Sequence, residues 1–297
     1  MKRISPMSDL GAKKVLASDE NKDVLAGLIE DFYEVEVEEL VIEKPYSIAI
    51  CKELTESGEI SKLRETLKDI AATFKIADYV NEIQIQRTSF FDERSLYYPL
   101  ERFCQNYSKA EAMQRGADGK LIRFSSIRPV YSLNILGYTH FHDDEALRIL
   151  ELCDQKRNKR LEKEFLRIGF FELTKNTFEK PNHKFWRDYF VTGEAHPDAP
   201  SYIKKASQII EHANLSEEER RMISTLERLE AYEQAEREYV YAEGIAQGIT
   251  QGIAQGKSEG RVEVAKNMLA DGLKPDVVAK YTGLPLAQIQ SFNCANT

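Results

Sequence analysis

Two acidic residues, Asp69 and Glu82, are spaced so that a β-hairpin would bring their side chains together. Segments 67–76 and 79–86 are rich in Ile, Val, Phe and Tyr, which is typical of strands. A turn at 75–76 leaves each acid six residues from the turn, on opposite strands. Because directly opposed residues of an antiparallel pair have Cβ atoms about 5 Å apart, we expect the two carboxylates to meet on one face of a sheet.

Opposed carboxylates supply the hard oxygen ligands that Mg²⁺ and Mn²⁺ prefer. A divalent ion held there would lower the pKa of a bound water and generate a nucleophile for phosphodiester hydrolysis. Alternation along the strand places Gln84 on the same face as Glu82. Asp78 shares that face, but four strand residues put it about 13 Å from Glu82, too far for one metal, and we expect it at the turn or rim.

A plainer interpretation stays open, in which Asp69 and Glu82 are solvated residues on the outer face of an antiparallel hairpin. The turn at 75–76 also lacks the Gly or Asn that supplies positive φ in tight hairpins. Spacing alone therefore does not establish a nuclease.

The run LKDIAATFKIADYVNEIQIQ at 67–86 and the following RSLYYPLERF at 94–103 resemble the D…ExQ motif and the R-x-L-Y-Y helix of a known family. This is the Rpn-type recombination-promoting nuclease and transposase family, a branch of the PD-(D/E)xK nucleases. Three later segments, PVYSLNILGY, FFEL and KFWRDYF, also look like the family, so that the resemblance covers about residues 4–190.

The resemblance implies an α/β, restriction-endonuclease-like fold, with a mixed central sheet flanked by helices, and a DNA substrate. Carried over residue by residue, it implies that Asp69 and Glu82 bind the metal and that Gln84 helps to position water. The general PD-(D/E)xK pattern has a lysine where this sequence has Gln84. A glutamine cannot supply positive charge to a developing oxyanion, so the strength of catalysis stays open.

Further polar residues are candidates beside this site. Arg94 and Tyr98 lie four apart on one helical face and could contact phosphate near the metal, although Arg94 could equally pair with a surface acid. An acid on the first helix often completes such sites, although helical acids are usually solvated. The candidates of this kind are Asp23, Glu30 and Asp31.

Two other groups of polar residues favour a structural interpretation. The run THFHDDE at 139–145 contains His140, His142, Asp143 and Asp144, a mixture that could bind a metal. We expect a surface turn there, with Asp143 capping a following helix. The basic run at 156–160 precedes Glu162 and Glu164, which is typical of a solvated helix face.

Hydrophobic spacing predicts the elements that position these residues. Helices are expected at 19–33, 92–115 and 143–165, and strands at 38–51, 67–76, 79–86, 123–138 and 166–173. The DGK at 118–120 predicts a turn. We divide the chain into a nuclease-like domain at 1–195, a helical extension at 196–242, a glycine repeat at 243–261 and a small tail resembling a helix-turn-helix at 262–297.

Glycine recurs every fourth residue in the repeat, at Gly244, Gly248, Gly252, Gly256 and Gly260. Each interior glycine costs a helix about 1 kcal/mol relative to alanine, so an isolated helix would be unstable. We expect the repeat to be helical only with a partner, and so to drive formation of a homo-oligomer. A flexible linker is the alternative, because Gly with Gln, Ser and Thr is also linker composition.

Composition limits the class of protein. The net charge of −8 argues against a protein that coats nucleic acid, but a nuclease needs only a local basic rim. Four scattered cysteines, without a CxxC pair, argue against a disulfide framework and favour the cytoplasm. The sequence contains no apolar run of about 18 residues, and we expect neither secretion nor a membrane span.

We therefore expect a Mg²⁺-dependent or Mn²⁺-dependent DNA endonuclease that supports recombination or transposition of mobile DNA. The competing interpretation is a catalytically weak DNA-binding or self-assembling protein that keeps the nuclease fold, for which Gln84 is the best support. A nuclease used in defence or as a toxin is a third.

Overall fold

The computed structural model describes residues 3–59, 61–63, 67, 70–108, 114–115, 121–122, 127–157, 159–211 and 214–293. Asp69 and the turn predicted at 118–120 lie outside these residues. Contacts divide the chain into two compact units, Met1–Ser224 and Thr225–Thr297.

The first unit is built on a six-stranded mixed sheet. The strands are β1 (Val41–Glu43), β2 (Ile70–Thr73), β3 (Asp78–Gln84), β4 (Gln114–Arg115), β5 (Leu121–Ile122), β6 (Val130–Leu136), β7 (Leu147–Glu151), β8 (Cys153–Asp154), β9 (Lys159–Arg160) and β10 (Leu166–Glu172). The sheet order is β1-β2-β3-β6-β10-β7, and β4-β5 and β8-β9 form separate two-stranded pairs. Strands β3, β6 and β10 are parallel, so their carboxyl ends lie together at one end of the sheet.

The helices cover the sheet and then continue into the second unit. They are α1 (Asp9–Leu16), a 3₁₀ turn (Asp19–Asn21), α2 (Lys22–Tyr33), α3 (Ile48–Glu56), α4 (Phe91–Ser108), α5 (Pro181–Thr192), α6 (Ser201–Ile209), α7 (Glu217–Ala270), α8 (Pro275–Thr282) and α9 (Leu286–Asn293). The predicted α/β fold with a mixed central sheet flanked by helices is confirmed.

Different helices pack on the two faces of the sheet. On one face, Tyr33 at the end of α2 stacks on Tyr131 of β6 with ring centroids 5.1 Å apart. On the other face, α4 packs on β3, β6 and β10. There Phe91, at the start of α4, joins a buried cluster with Leu136 and Phe170. Because neighbouring strand residues alternate between faces, Glu82 lies on the α4 face and Tyr79 on the α2 face.

The hairpin of β2 and β3 has the register that the sequence predicts. Ile70 pairs with Asn81, and Thr73 pairs with Asp78. The turn is closed by a hydrogen bond of 2.9 Å from the Phe74 amide to the Ala77 carbonyl, and positive φ is not needed within it. The missing Gly or Asn is therefore no obstacle to this turn, which the Lys75 amide also fixes by donating to the Glu38 carbonyl at 2.9 Å.

The helix predicted at 143–165 is wrong. This region contains strands β7, β8 and β9, and β7 pairs with β10 at the edge of the sheet. The side chains of β7 are half-buried except that of Leu150, which is exposed, so charged and apolar residues are mixed as they are on the surface of a helix. Consequently Asp143 caps no helix, and the basic run at 156–160 lies in the β8–β9 hairpin.

The long strand predicted at 38–51 is also wrong in its second half. Only Val41–Glu43 form a strand, and helix α3 begins after Ser47. The Ser47 side chain accepts the Ile50 amide and so caps the helix. The β-branched residues after Ser47 favour a strand by composition, but the serine cap stabilises the start of a helix and the segment is helical.

The second unit begins within the long helix α7. Ala265 of α7, Val278 of α8 and Ile289 of α9 form its small buried core. The glycine repeat lies within α7 and is helical, and a Cβ added at any of its five glycines would meet no atom of the described residues within 4 Å. The domain boundaries at 195, 242 and 261 stay predictions. Each helix in the described part of the chain is too short or too polar to cross a membrane.

Candidate active site

Two ion pairs join β3 to α4 on the face that carries Glu82. Arg94 contacts Glu82, and Arg102 contacts Asp78 through Nε and Oδ2 at 2.8 Å. Eight helical residues span about 12 Å and four strand residues about 13 Å, so the two pairs match in spacing. The strand and the helix run in opposite directions. Because the spacings are equal, the pair of Arg102 with Asp78 places Arg94 over Glu82.

Glu82 receives two donors on one oxygen. Gln84 Nε2 donates to Glu82 Oε1 at 2.8 Å, and the Arg94 guanidinium contacts the same oxygen. The Glu82 side chain is 17% exposed, so the carboxylate is largely shielded from water. A shielded carboxylate interacts with charged neighbours more strongly than one in bulk water.

Gln84 ends β3 beside the first residues after β6. The Gly137 amide donates to the Gln84 carbonyl at 2.8 Å. A Cβ on Gly137 would lie 2.8 Å from the Ile85 carbonyl oxygen, so this close approach of the two chains requires glycine. The Gln84 side chain is an amide that serves as donor to Glu82, and it brings no charge to the site.

Asp69 lies outside the described residues, so its position relative to Glu82 stays a prediction. Its sequence neighbour Ile70 begins β2 and pairs with Asn81, the residue before Glu82. The donor chemistry of Glu82 and Gln84, carboxylate and amide oxygens, suits a hard divalent cation. Among the residues that the structure describes, no group of three or more His, Cys, Asp or Glu side chains could hold a metal ion.

Arg94 and Tyr98 lie together on α4. The Arg94 guanidinium carbon is 5.9 Å from the centre of the Tyr98 ring, and the Arg94 side chain is 37% exposed. Arg94 pairs with Glu82, the candidate metal ligand, and not with a separate surface acid, and its contact with phosphate stays a prediction.

Acids on α2 do not join Glu82. Asp23 pairs with Lys205, and Glu30 accepts the Val37 amide. Asp31 accepts the Trp186 indole N–H and the Tyr202 hydroxyl, both at 2.8 Å. The contacts of Asp23 and Asp31 tie α2 to α5 and α6 on the face of the sheet opposite to Glu82, and Glu30 fixes the chain that follows α2.

Asp78 begins β3 at the turn, as expected, but it is buried rather than on the rim. Only 1% of its side chain is exposed. Arg102 contacts both Asp78 and Glu43, and Arg128 Nε lies 3.4 Å from Asp78 Oδ1. The Asp78 cluster is thus an internal ion network at the end of β3 opposite to Gln84.

The segment 139–145 is held by a buried acid at the end of β10. Glu172 accepts the amides of His140 and Phe141, and Lys175 donates to Glu172 at 2.6 Å. His140 Nε2 lies 2.9 Å from Asp92 Oδ1. Asp143 pairs with Lys175 at 3.1 Å. These contacts fix the surface turn that the sequence predicts at this segment.

Sequence reasoning missed Tyr138, which follows β6 on the α4 face. Its ring packs edge-on against Phe91 with centroids 6.1 Å apart. The only signal in the sequence is its even spacing from Asn134 and Leu136, which puts all three residues on one face.

The order of the strands, the hairpin that carries Glu82 and the helices on both faces define a protein of the PD-(D/E)XK nuclease class. The model of one family, described as "PD-(D/E)XK nuclease family transposase", matches residues 6–240. The chain belongs to this family, and nucleases of this class typically use divalent metals. Searches of curated proteins and of solved structures find no match.

Proposed function

We propose that this chain is a divalent-metal-dependent DNA endonuclease that acts in recombination or transposition of mobile DNA. The single observation that carries the proposal is the register of the β2–β3 hairpin, in which Ile70 pairs with Asn81. One further step of the same pairing would set Asp69 opposite Glu82. Membership of the PD-(D/E)XK nuclease family supports the same conclusion.

Each residue has a role that follows from its chemistry. Asp69 and Glu82 supply carboxylate oxygens to Mg²⁺ or Mn²⁺, and Gln84 orients water through its amide. The ion, when bound, supplies Lewis-acid activation of water and neutralises charge on the phosphate. Gln84 is already held against Glu82 at 2.8 Å, so that its amide has a fixed position at the site.

Arg94 and Tyr98 are proposed to contact the DNA backbone. The Arg94 guanidinium occupies Glu82 Oε1 in this structure and lies beside the Tyr98 ring. A cation on Glu82 would compete with Arg94 for that oxygen, and the released guanidinium would then be near a phosphate bound to the cation. Guanidinium groups bind phosphate well because they offer paired donors.

Supercoiled plasmid provides the test, incubated with Mg²⁺, Mn²⁺ or EDTA. Wild type should nick it only with a metal, and Asp69→Ala and Glu82→Ala should each lose about 100-fold, because a metal contributes roughly 3 kcal/mol of charge stabilisation. Asp198→Ala is the matched control, since Asp198 is 85% exposed. Equal nicking by all four purified proteins, with folding verified by circular dichroism, would refute the assignment.

A second candidate function rests on the lysine that is absent from position 84. Without that charge, and with Arg94 on Glu82, the chain could bind DNA or assemble while cleaving it weakly. Binding of a short duplex without nicking under any metal would favour this candidate. A defence or toxin nuclease would share the same chemistry and would differ in its target.

We also propose a homo-oligomer formed through the glycine repeat of α7. Ile245, Ile249 and Ile253 follow the glycines along the helix and are 45%, 58% and 54% exposed. In the part of the chain that the structure describes, no side chain lies close enough to the five glycines to require them. A second copy of the same helix would cover the isoleucines and use the space beside the glycines.

We place the protein in the cytoplasm, in line with the free thiols of Cys51 and Cys153.

A further inference from the structure

Tyr138 lies just after β6, at the carboxyl end of the parallel strands and next to the end of β3 at Gln84. The Gly137 amide binds the Gln84 carbonyl, and the close approach of Gly137 to Ile85 keeps this part of the chain against β3. Tyr138 faces α4, because it packs against the cluster of Phe91 and Leu136. Tyr138 therefore lies on the same face as Glu82, and the charges of Glu82 and Arg94 act on its hydroxyl.

The Tyr138 hydroxyl is buried and has no hydrogen-bond partner among the residues that the structure describes. Leaving a buried hydroxyl unsatisfied is costly, so such a group in a native protein calls for an explanation. Burial raises the pKa of Tyr138, and the nearby charges of Arg87, Asp92, Glu82 and Arg94 also act on it. At neutral pH the phenol is protonated and can donate.

The hydroxyl of Tyr189 can be compared with that of Tyr138. Its hydroxyl is also buried without a partner in the described part of the chain. Burial raises the pKa of Tyr189, and among the described residues no charged group contributes to that shift. Tyr189 belongs to α5, whose residues pack on the α2 side of the sheet. An unsatisfied hydroxyl is therefore only a defect of packing at Tyr189, whereas at Tyr138 it lies among the charges of the candidate site.

We propose that the Tyr138 hydroxyl donates a hydrogen bond to a backbone phosphate of the DNA bound beside Glu82. The inference rests on the proposed function, since it takes DNA as the ligand of this face. A phosphate oxygen is a strong acceptor, and the arginines at 87 and 94 provide the positive charge that draws it there. Tyr138 is thus a positioning residue for the substrate and takes no part in binding the metal.

The experiment compares wild type, Tyr138→Phe and Tyr189→Phe as full chains. Affinity for a short fluorescent duplex is measured by anisotropy with Mn²⁺, affinity for Mn²⁺ alone by calorimetry, and stability by urea unfolding. Tyr138→Phe should weaken DNA binding about tenfold, as expected for loss of a hydrogen bond to a charged group. Its Mn²⁺ affinity should not change, and its stability should equal or exceed that of wild type. Tyr189→Phe should leave DNA affinity unchanged.

The outcomes separate this inference from the proposed function. Wild type that binds the duplex but never nicks DNA would refute the nuclease assignment, while weaker binding by Tyr138→Phe would still support the phosphate contact. Unchanged DNA affinity in Tyr138→Phe overturns the inference. So does a loss of Mn²⁺ affinity without a loss of DNA affinity, because the hydroxyl would then act through Glu82. Wild type that binds no DNA overturns both.

Discussion

At the scale of single residues, the Glu82 carboxylate has two competing sets of partners. Its Oε1 accepts Arg94 and Gln84 in this structure, while the proposed function gives it to a divalent cation. A guanidinium and a metal ion cannot both be the closest positive charge to one oxygen. Arg94 is therefore expected to hold the carboxylate in place and to weaken its affinity for the metal.

Replacing Arg94 by alanine should change metal binding and DNA binding in opposite directions. Partly exposed ion pairs contribute about 0.2–1 kcal/mol, so Mn²⁺ should bind up to about fivefold more tightly to Arg94→Ala. The loss of one phosphate contact should reduce the slope of log affinity for DNA against log salt by about 1. Calorimetry with Mn²⁺ and duplex titrations at several salt concentrations measure the two effects.

Arg94→Lys is the control, because it keeps the charge and should keep the metal affinity near that of wild type. If Arg94→Ala binds Mn²⁺ more weakly than wild type, the competition does not exist, and Arg94 supports the site only by positioning Glu82.

The sequence predicts contacts between residues only where both belong to one regular element, such as a β-hairpin. The hairpin register follows from strand period and a turn at its midpoint, and Ile70 pairs with Asn81 in that register, while the pairing of Asp69 with Glu82 stays a prediction. The pairing of Arg102 with Asp78 joins residues 24 positions apart through the docking of a helix on a sheet. No local pattern encodes that contact, so the burial of Asp78 could not be foreseen.

At the scale of elements, the pair between Arg102 and Asp78 anchors α4 on the sheet. Their side chains are 9% and 1% exposed. Removing one partner of a buried pair leaves the other charge poorly compensated, which costs about 3 kcal/mol or more. Arg102→Ala should therefore lower the free energy of unfolding by about that amount, measured as a lower urea midpoint.

Arg157→Ala is a matched control, because Arg157 is 74% exposed and pairs with Asp154 on the surface. Its loss should cost less than about 1 kcal/mol. Similar midpoints for the two variants would contradict the anchoring role of Arg102.

Buried strands and long helices were predictable at this scale, and the edge of the sheet was not. The continuous apolar runs of β6 and β10 identify them as central strands, and both are found where the sequence predicts them. Strand β7 has one neighbour, β10, and half-buried side chains, so that its pattern is mixed. Its pairing with β10 determines its conformation, and a pattern within one segment cannot report that pairing.

At the scale of the whole molecule, the glycine repeat makes a prediction about assembly. Changing Gly244, Gly248, Gly252, Gly256 and Gly260 together to alanine should stabilise α7 as an isolated helix by about 5 kcal/mol. The added Cβ atoms would contact none of the described residues. If a second copy lies close to the glycines, the same Cβ atoms should weaken self-association, and light scattering should show a shift toward monomer.

The control replaces Gln247, Gln251 and Gln255 by alanine, which changes a neighbouring stripe with the same spacing. This variant should associate as wild type does. Wild type that stays monomeric across micromolar concentrations would leave the linker interpretation, and an alanine variant that associates as strongly as wild type would show that close backbone contact is not used.

The pairing of α4 with β3 has a consequence for insertions and deletions. Arg94 and Arg102 reach Glu82 and Asp78 at the same time. One residue added between the two arginines would turn Arg94 by about 100° and move it about 1.5 Å along the helix relative to Arg102. The number of residues from Ser95 to Glu101 is therefore constrained by the two ion pairs, independently of their identity. Related sequences that keep both ion pairs should show no length variation in this stretch, whatever variation surrounds it.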